Sequence, residues 1–159
     1  MDNPSASLQP SAAPLEQEAP AIRPNQVLAI DHIAIAVSDL EAAVDWYTRK
    51  LGFKVVEERT TRGESTSMRS TVVVAGSAVV VLVQGATAES PICRFVSKFG
   101  PGVHHVAFSV RNMKEIMDQA SGAGAAADTA LLVDEGLKQL FLRRDPGSGV
   151  RVELIGAPE

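Results

Sequence analysis

Two of the three histidines in this 159-residue chain occupy matching places in a repeated apolar pattern. Asp31-His32-Ile33-Ala34 aligns with His104-His105-Val106-Ala107. Each copy is followed by a polar turn and a helical pattern, Ser38-Asp39-Leu40-Glu41 in the first and Arg111-Asn112-Met113-Lys114 in the second. A repeat of this length is one supersecondary unit used twice. Imidazole is a common ligand of divalent metals. Taken singly, His32 or His105 would be an ordinary core histidine; their recurrence at one place in both copies makes a shared metal site the stronger reading. His105 is preferred to its neighbour His104 by the alignment, and by strand alternation, which lets only one of two adjacent side chains face a cleft.

The elements that must position them follow from periodicity and turn signals. Val27–Val37 is an apolar, β-branched run that predicts a buried strand. Ser38 then stands as N-cap with Glu41 in the capping-box place. Leu40, Ala43, Val44, Tyr47 and Leu51 recur at helical spacing up to Gly52, a terminating glycine. Strands are expected over Phe53–Arg59, Met68–Val74 and Ala78–Gln84, and a short amphipathic helix over Ser90–Phe99, with Ile92, Phe95 and Val96 on one side. Gly100-Pro101-Gly102 ends it. The second copy reads as a strand over Val103–Val110, a helix from Met113 to about Ala120, and strands over Ala130–Val133, Gln139–Arg143 and Val150–Ile155. The order is β-α-β-β-β, repeated. It predicts an α+β fold of two modules, about residues 27–86 and 102–156, joined by a helical linker near residues 87–101 and enclosing a central cleft.

Composition bounds the function. With 45% hydrophobic and 21% charged residues, the 159-residue chain suits one globular domain with a real core, expected over residues 27–156. Residues 1–26 are rich in Pro, Ala, Ser and Gln, without periodicity, and are expected to form a disordered tail. A net charge of -4 offers no basic footprint for nucleic acid. No apolar run approaches the roughly 20 residues of a membrane span. The one cysteine, Cys93, cannot form an internal disulfide and points to a reducing compartment, and nothing near it in sequence marks it as reactive. With no secretory or transit signature, a cytoplasmic protein is expected. Glu57, Glu58 and Glu64 read as solvated carboxylates, although one of them could serve as a general base. Trp46 and Tyr47 read as helix residues packed on the sheet.

Four stretches, Ile30–Tyr47, Leu51–Val56, Gly100–Val110 and Asp145–Ile155, resemble the vicinal oxygen chelate superfamily. That superfamily includes glyoxalase I, extradiol dioxygenases, methylmalonyl-CoA epimerase and 4-hydroxyphenylpyruvate dioxygenase. The resemblance implies one divalent metal held by His32, His105 and Glu153. Fe(II) is favoured, and Co(II), Mn(II), Ni(II) and Zn(II) also suit the donor set. Glu153 lies in a strand whose apolar neighbours Val152 and Leu154 point the other way. By the same resemblance Val81 stands at the fourth-strand ligand position of glyoxalase I and the epimerase. Gln84 falls on the opposite face, and Ser70 stands near the epimerase's glutamate, where it is a candidate catalytic residue or substrate contact.

With the metal left open by Val81, the resemblance implies Fe(II) dioxygenase-like chemistry on a small 2-oxo acid or a related oxygen-chelating substrate. The alternative is a redox-neutral epimerase, isomerase or glyoxalase-like lyase working through a metal-held enolate. A third reading is a metal-free binding protein like the bleomycin-resistance members. The partner expected in each case is a small molecule, which chelates the metal in the two enzyme readings, and the expected assembly is a homodimer.

Overall fold

The computed structural model describes residues 26–63, 67–134 and 136–156. Nearly all of the expected N-terminal tail, and Glu64, lie outside them. The chain forms β1 (Val27–Ala36), α1 (Leu40–Asp45), a π-helical turn (Trp46–Lys50), β2 (Lys54–Thr61), β3 (Met68–Ala75) and β4 (Ala78–Gly85). After α2 (Pro91–Phe99) come β5 (Gly102–Val110), α3 (Met113–Gly122), β6 (Leu132–Asp134), β7 (Leu137–Phe141) and β8 (Arg151–Gly156). All strands join one mixed sheet in the order β2-β3-β4-β1-β5-β8-β7-β6. The order is mirrored about its centre: β1 runs parallel to β4 and β5 runs parallel to β8, and β1 meets β5 antiparallel. This is the α+β fold of two βαβββ modules that the repeat implies.

Apolar residues on both faces make β4 a continuous hydrophobic run, and alternation divides its side chains between two environments. Val80 and Leu82 join Leu40 and Val73 beneath α1, with Tyr47 and Phe53 packed against them. Val83 turns to the other face, against Ala36 and Ile92 of α2. The second module repeats the helix-side core with Val110, Met113, Ile116, Leu140 and Leu154. One sheet face is therefore covered by α1 and α3. The opposite face is partly covered by α2, and between those residues and the second module it opens into the cleft.

The helix starts differ from the sequence expectation at one residue. Asp39, not Ser38, caps α1: its Oδ1 accepts from the Ala42 backbone N at 2.9 Å. Ser38 is committed elsewhere, its carbonyl accepting from Gln84 Nε2 at 2.7 Å. Glu41 pairs with Arg69 instead of closing a capping box. Asn112 takes the equivalent place before α3, accepting from Glu115 N at 3.0 Å. α1 widens into the π turn where Thr48 Oγ1 donates back to the Val44 carbonyl at 2.8 Å. Tyr47, in phase with Leu40, Ala43 and Val44, packs on the core, whereas Trp46 is exposed, contrary to the expectation that both pack on the sheet, and Leu51 is exposed beyond the π turn. Gly52, at φ 74, ends the segment as expected.

Gly85 lies where β4 passes beneath the start of α2. A Cβ there would stand 2.6 Å from Cys93 Sγ, 2.7 Å from Ser90 Oγ and 2.9 Å from Cys93 N. Backbone and a buried cap both resist that intrusion, and overpacking of this kind costs about 1–3 kcal/mol. Gly85→Ala is expected to lose that much stability in urea unfolding.

Candidate metal centre

β1, β5 and β8 bring His32, His105 and Glu153 into one cluster on the cleft face, with a ligand atom from each lying within 4.8 Å of the others. Glu153 is 1% exposed. Its Oε2 stands 3.4 Å from His32 Nε2 and 3.1 Å from His105 Nε2. Among the described residues no hydrogen bond is aligned on that oxygen, whereas Oε1 accepts from Gln139 Nε2 of β7. A buried carboxylate oxygen without a donor is costly, and two imidazole nitrogens facing it make three converging lone-pair donors. The residues present fit a divalent ion bound by two imidazoles and one carboxylate. Electrostatics agree. Burial raises the Glu153 carboxyl, but the two imidazoles and the Gln139 amide outweigh it and hold it down at about 2. Burial lowers His32, and Glu153 with Asp31 overcomes that and leaves it raised from 6.5.

Each histidine is steadied by the residue before it, through an irregularity that occurs in both copies. In the β1–β5 register, Ile30 faces Phe108 and His32 faces Ala107, so Asp31 is an extra residue. Ala34 faces His105 and Ile35 faces Val103, so His104 is extra on the other strand. Bulges re-aim side chains. Asp31 Oδ1 meets His32 Nδ1 at 2.8 Å, and His104 Nδ1 meets His105 Nδ1 at 2.9 Å. The bulge corrects the alternation argument used to set His104 aside, because both histidines line the cleft. Burial first, then the charges of His105, Arg151 and Arg144, lowers His104 to about 4. His104 is thereby neutral and can accept from the Nδ1–H of His105.

The cleft has a volume of about 440 Å³. Its walls include Met68, Val72, Val81, Val83, Ile92 and Phe141, with Ser70 among them. Ser70 therefore shares the cavity with the cluster, and Val81 presents an apolar side chain where the resemblance puts a fourth ligand. Gln84 lies on the other face, accepting from Leu40 N at 3.4 Å. Among the described residues Glu153 is the one carboxylate lining the cleft. Glu57 is paired with Arg59, and Glu58 lines a separate groove of about 570 Å³ between α1 and β2–β3, which contains neither histidine. Asp31 and His104 had a sequence signal, each preceding the repeated histidine. Gln139 had none, since its approach depends on the β7–β8 register.

Two βαβββ modules in one sheet, with two histidines and a carboxylate in its cleft, define a protein of the vicinal oxygen chelate type. Residues 29–154 match the model of the Glyoxalase/Bleomycin resistance protein/Dioxygenase superfamily, and the chain belongs to that superfamily. It is similar to the mitochondrial methylmalonyl-CoA epimerase of Mus musculus, at 31% identity over 128 residues, 79% of this chain and 71% of the mouse protein. It is also similar to the uncharacterized protein YqjC of Bacillus subtilis, at 30% identity over 132 residues, 79% of this chain and 89% of that one. The crystal structure of methylmalonyl-CoA epimerase from Mycobacterium tuberculosis has the same fold, with a TM-score of 0.74 at 23% identity, covering 87% of this chain and 93% of that one. No helix among the described residues is long and apolar enough to cross a membrane.

Proposed function

We propose that this chain is a divalent-metal-dependent, redox-neutral enzyme of the epimerase or isomerase kind, acting on a small oxygen-bearing substrate. The observation that carries the metal is the convergence of His32, His105 and the undonated Oε2 of Glu153 in a buried cluster. The similarity to the mouse epimerase supports redox-neutral chemistry over the Fe(II) dioxygenase reading favoured by the open fourth position. It also weighs against a metal-free binding protein. An ion held by these three residues supplies Lewis acidity for negative charge developing on a substrate carbonyl oxygen.

The chain's own groups do the rest. Asp31 and His104 fix the ligand rings, and Met68, Val72, Val81 and Val83 exclude water from the reacting centre. The Ser70 hydroxyl and the Nε2–H of neutral His104 line the same cleft and would position the substrate as hydrogen-bonding groups. The test is proton exchange at the carbon next to the carbonyl of methylmalonyl-CoA, followed by NMR in D2O with cobalt-loaded protein, alongside an oxygen electrode. Exchange without oxygen uptake is expected. Oxygen uptake by the iron-loaded protein with a 2-oxo acid, and no exchange under either metal, would return the oxygenase reading.

Two further results are expected. Loss of an outer-shell partner of a metal-bound histidine typically weakens binding about 10–100-fold, and Asp31→Asn should weaken Co(II) binding in that range by calorimetry. The pH dependence has a definite sign. His32 must give up its proton to bind a metal, and its pKa is raised, so the proton competes at and somewhat above the usual histidine range. Affinity is expected to fall as pH drops through that value, by about tenfold per unit for this one proton, and to level off above it.

A further inference from the structure

We propose that Gln139 is a positioning residue. It occupies one oxygen of Glu153, so the carboxylate can hold a metal through the other alone, and a coordination position stays open for the substrate. The inference rests on the metal reading above and deepens it. Among the described residues that line the cleft Gln139 is the one carboxamide, in a wall that Met68, Val72, Val81, Val83 and Phe141 make largely apolar. A polar side chain in such a wall is costly unless it is hydrogen-bonded. Alternation along β7 brings it there: Leu140 is buried in the helix-side core, which turns Gln139 and Phe141 to the cleft.

The β7–β8 register sets the reach. Phe141 is the direct partner of Glu153 and Gln139 that of Ile155, so Gln139 stands diagonally across the ladder from Glu153, a separation that a long side chain spans. Its Nε2 donates to Glu153 Oε1. An ionised carboxylate only accepts hydrogen bonds, so the amide must turn its NH2 toward Glu153. The two oxygens of Glu153 therefore differ. Oε1 is engaged by Gln139, whereas Oε2 faces His32 Nε2 at 3.4 Å and His105 Nε2 at 3.1 Å, with no donor aligned on it among the described residues. The last torsion of a glutamate is only loosely restrained by its own chain, and the bond to Gln139 fixes the plane of the carboxylate. Asp31 and His104 do the same for the two rings, so each member of the cluster has its own outer partner. Such partners orient metal ligands and tune them. A carboxylate bound through one oxygen takes up one position fewer than one bound through both, and a substrate that chelates through two oxygens needs that position.

The test uses the full chain as wild type, Gln139→Met and Gln139→Leu, each at saturating Co(II). Gln139→Met keeps the length of the side chain and removes its donor, and Gln139→Leu is a second donor-free variant should the first fail to fold. Infrared difference spectra on adding Co(II) read the splitting of the carboxylate stretches, wide for a carboxylate bound through one oxygen and narrow for one bound through both. The splitting should be wide in the wild type and narrow in the variants. Calorimetry then compares acetohydroxamate, which chelates through two oxygens, with thiocyanate, which binds through one atom. Acetohydroxamate should bind the variants at least about tenfold more weakly than the wild type, while thiocyanate binding changes little. A narrow splitting in the wild type overturns the proposal without recourse to any variant. So does a splitting or an acetohydroxamate affinity that stays unchanged in the variants, or an equal loss of both probes, which would mean general damage to the cleft. All of these results leave the three-residue metal site standing. Failure of Co(II) to bind the wild type, by contrast, overturns the metal reading and this proposal with it.

Discussion

Glu153→Ala is expected to abolish metal binding, leaving less than a tenth of an equivalent of Co(II) per chain after dialysis where the wild type retains about one. The carboxylate is the only anionic donor in the cluster and its charge is nearly desolvated, so the two imidazoles that remain are a poor trap for a divalent ion. The loss extends to stability. A ligand present at 100 times its Kd stabilises the folded state by about 2.7 kcal/mol. Co(II) should accordingly raise the melting temperature of the wild type by on the order of 10 °C and leave that of Glu153→Ala unmoved. Activity in the exchange assay should fall by at least about a thousandfold. A variant that keeps its full equivalent of metal would show that the ion sits elsewhere.

Val81→Glu should have the second largest effect, with opposite signs in the two states of the site. Val81 pairs with Ala34 across the β4–β1 ladder and faces the cleft, so a carboxylate there would enter a wall that is now apolar. Without metal it would join the Glu153 charge in the same cavity, and an uncompensated buried charge costs about 3–5 kcal/mol. With metal it becomes a fourth ligand. The measurement is denaturant unfolding with EDTA and with saturating Co(II). Expected are a large destabilisation in EDTA and a metal-induced stabilisation greater than that of the wild type. Equal destabilisation in both conditions would mean that position 81 does not reach the ion.

The fold and the two histidines were legible because the same pattern was written twice, and Glu153 was legible through the family resemblance. An imidazole in the same slot of two apolar strands, each followed by a polar turn and a helix, has few structural meanings. What the residues did not disclose depended on contacts distant in sequence or on departures from ideal geometry. Ser38 and Asp39 are equally good caps by type, and the choice between them is made by Gln84, 46 residues away, which binds the Ser38 carbonyl. Strict alternation excluded His104 from the cleft, and a one-residue bulge admitted it. Leu51 was given a core position by a 3.6-residue period that the π turn interrupts, and Trp46 by its being an aromatic on a helix; both are exposed. Arg151 was visible as the same-face neighbour of Glu153 on its strand, whereas its contacts with Asp128 and Phe141, both distant in sequence, were not.

The family assignment also sharpens what this chain changes. The cleft keeps two histidines and a glutamate but places valine and serine where the epimerase resemblance expects a ligand and a base.

The most direct test of the metal centre is anomalous diffraction from crystals of the full chain grown with Co(II). The account predicts one strong peak per chain, within ordinary coordination distance of His32 Nε2, His105 Nε2 and Glu153 Oε2. A peak bound by other residues, or none at saturating cobalt, would contradict it.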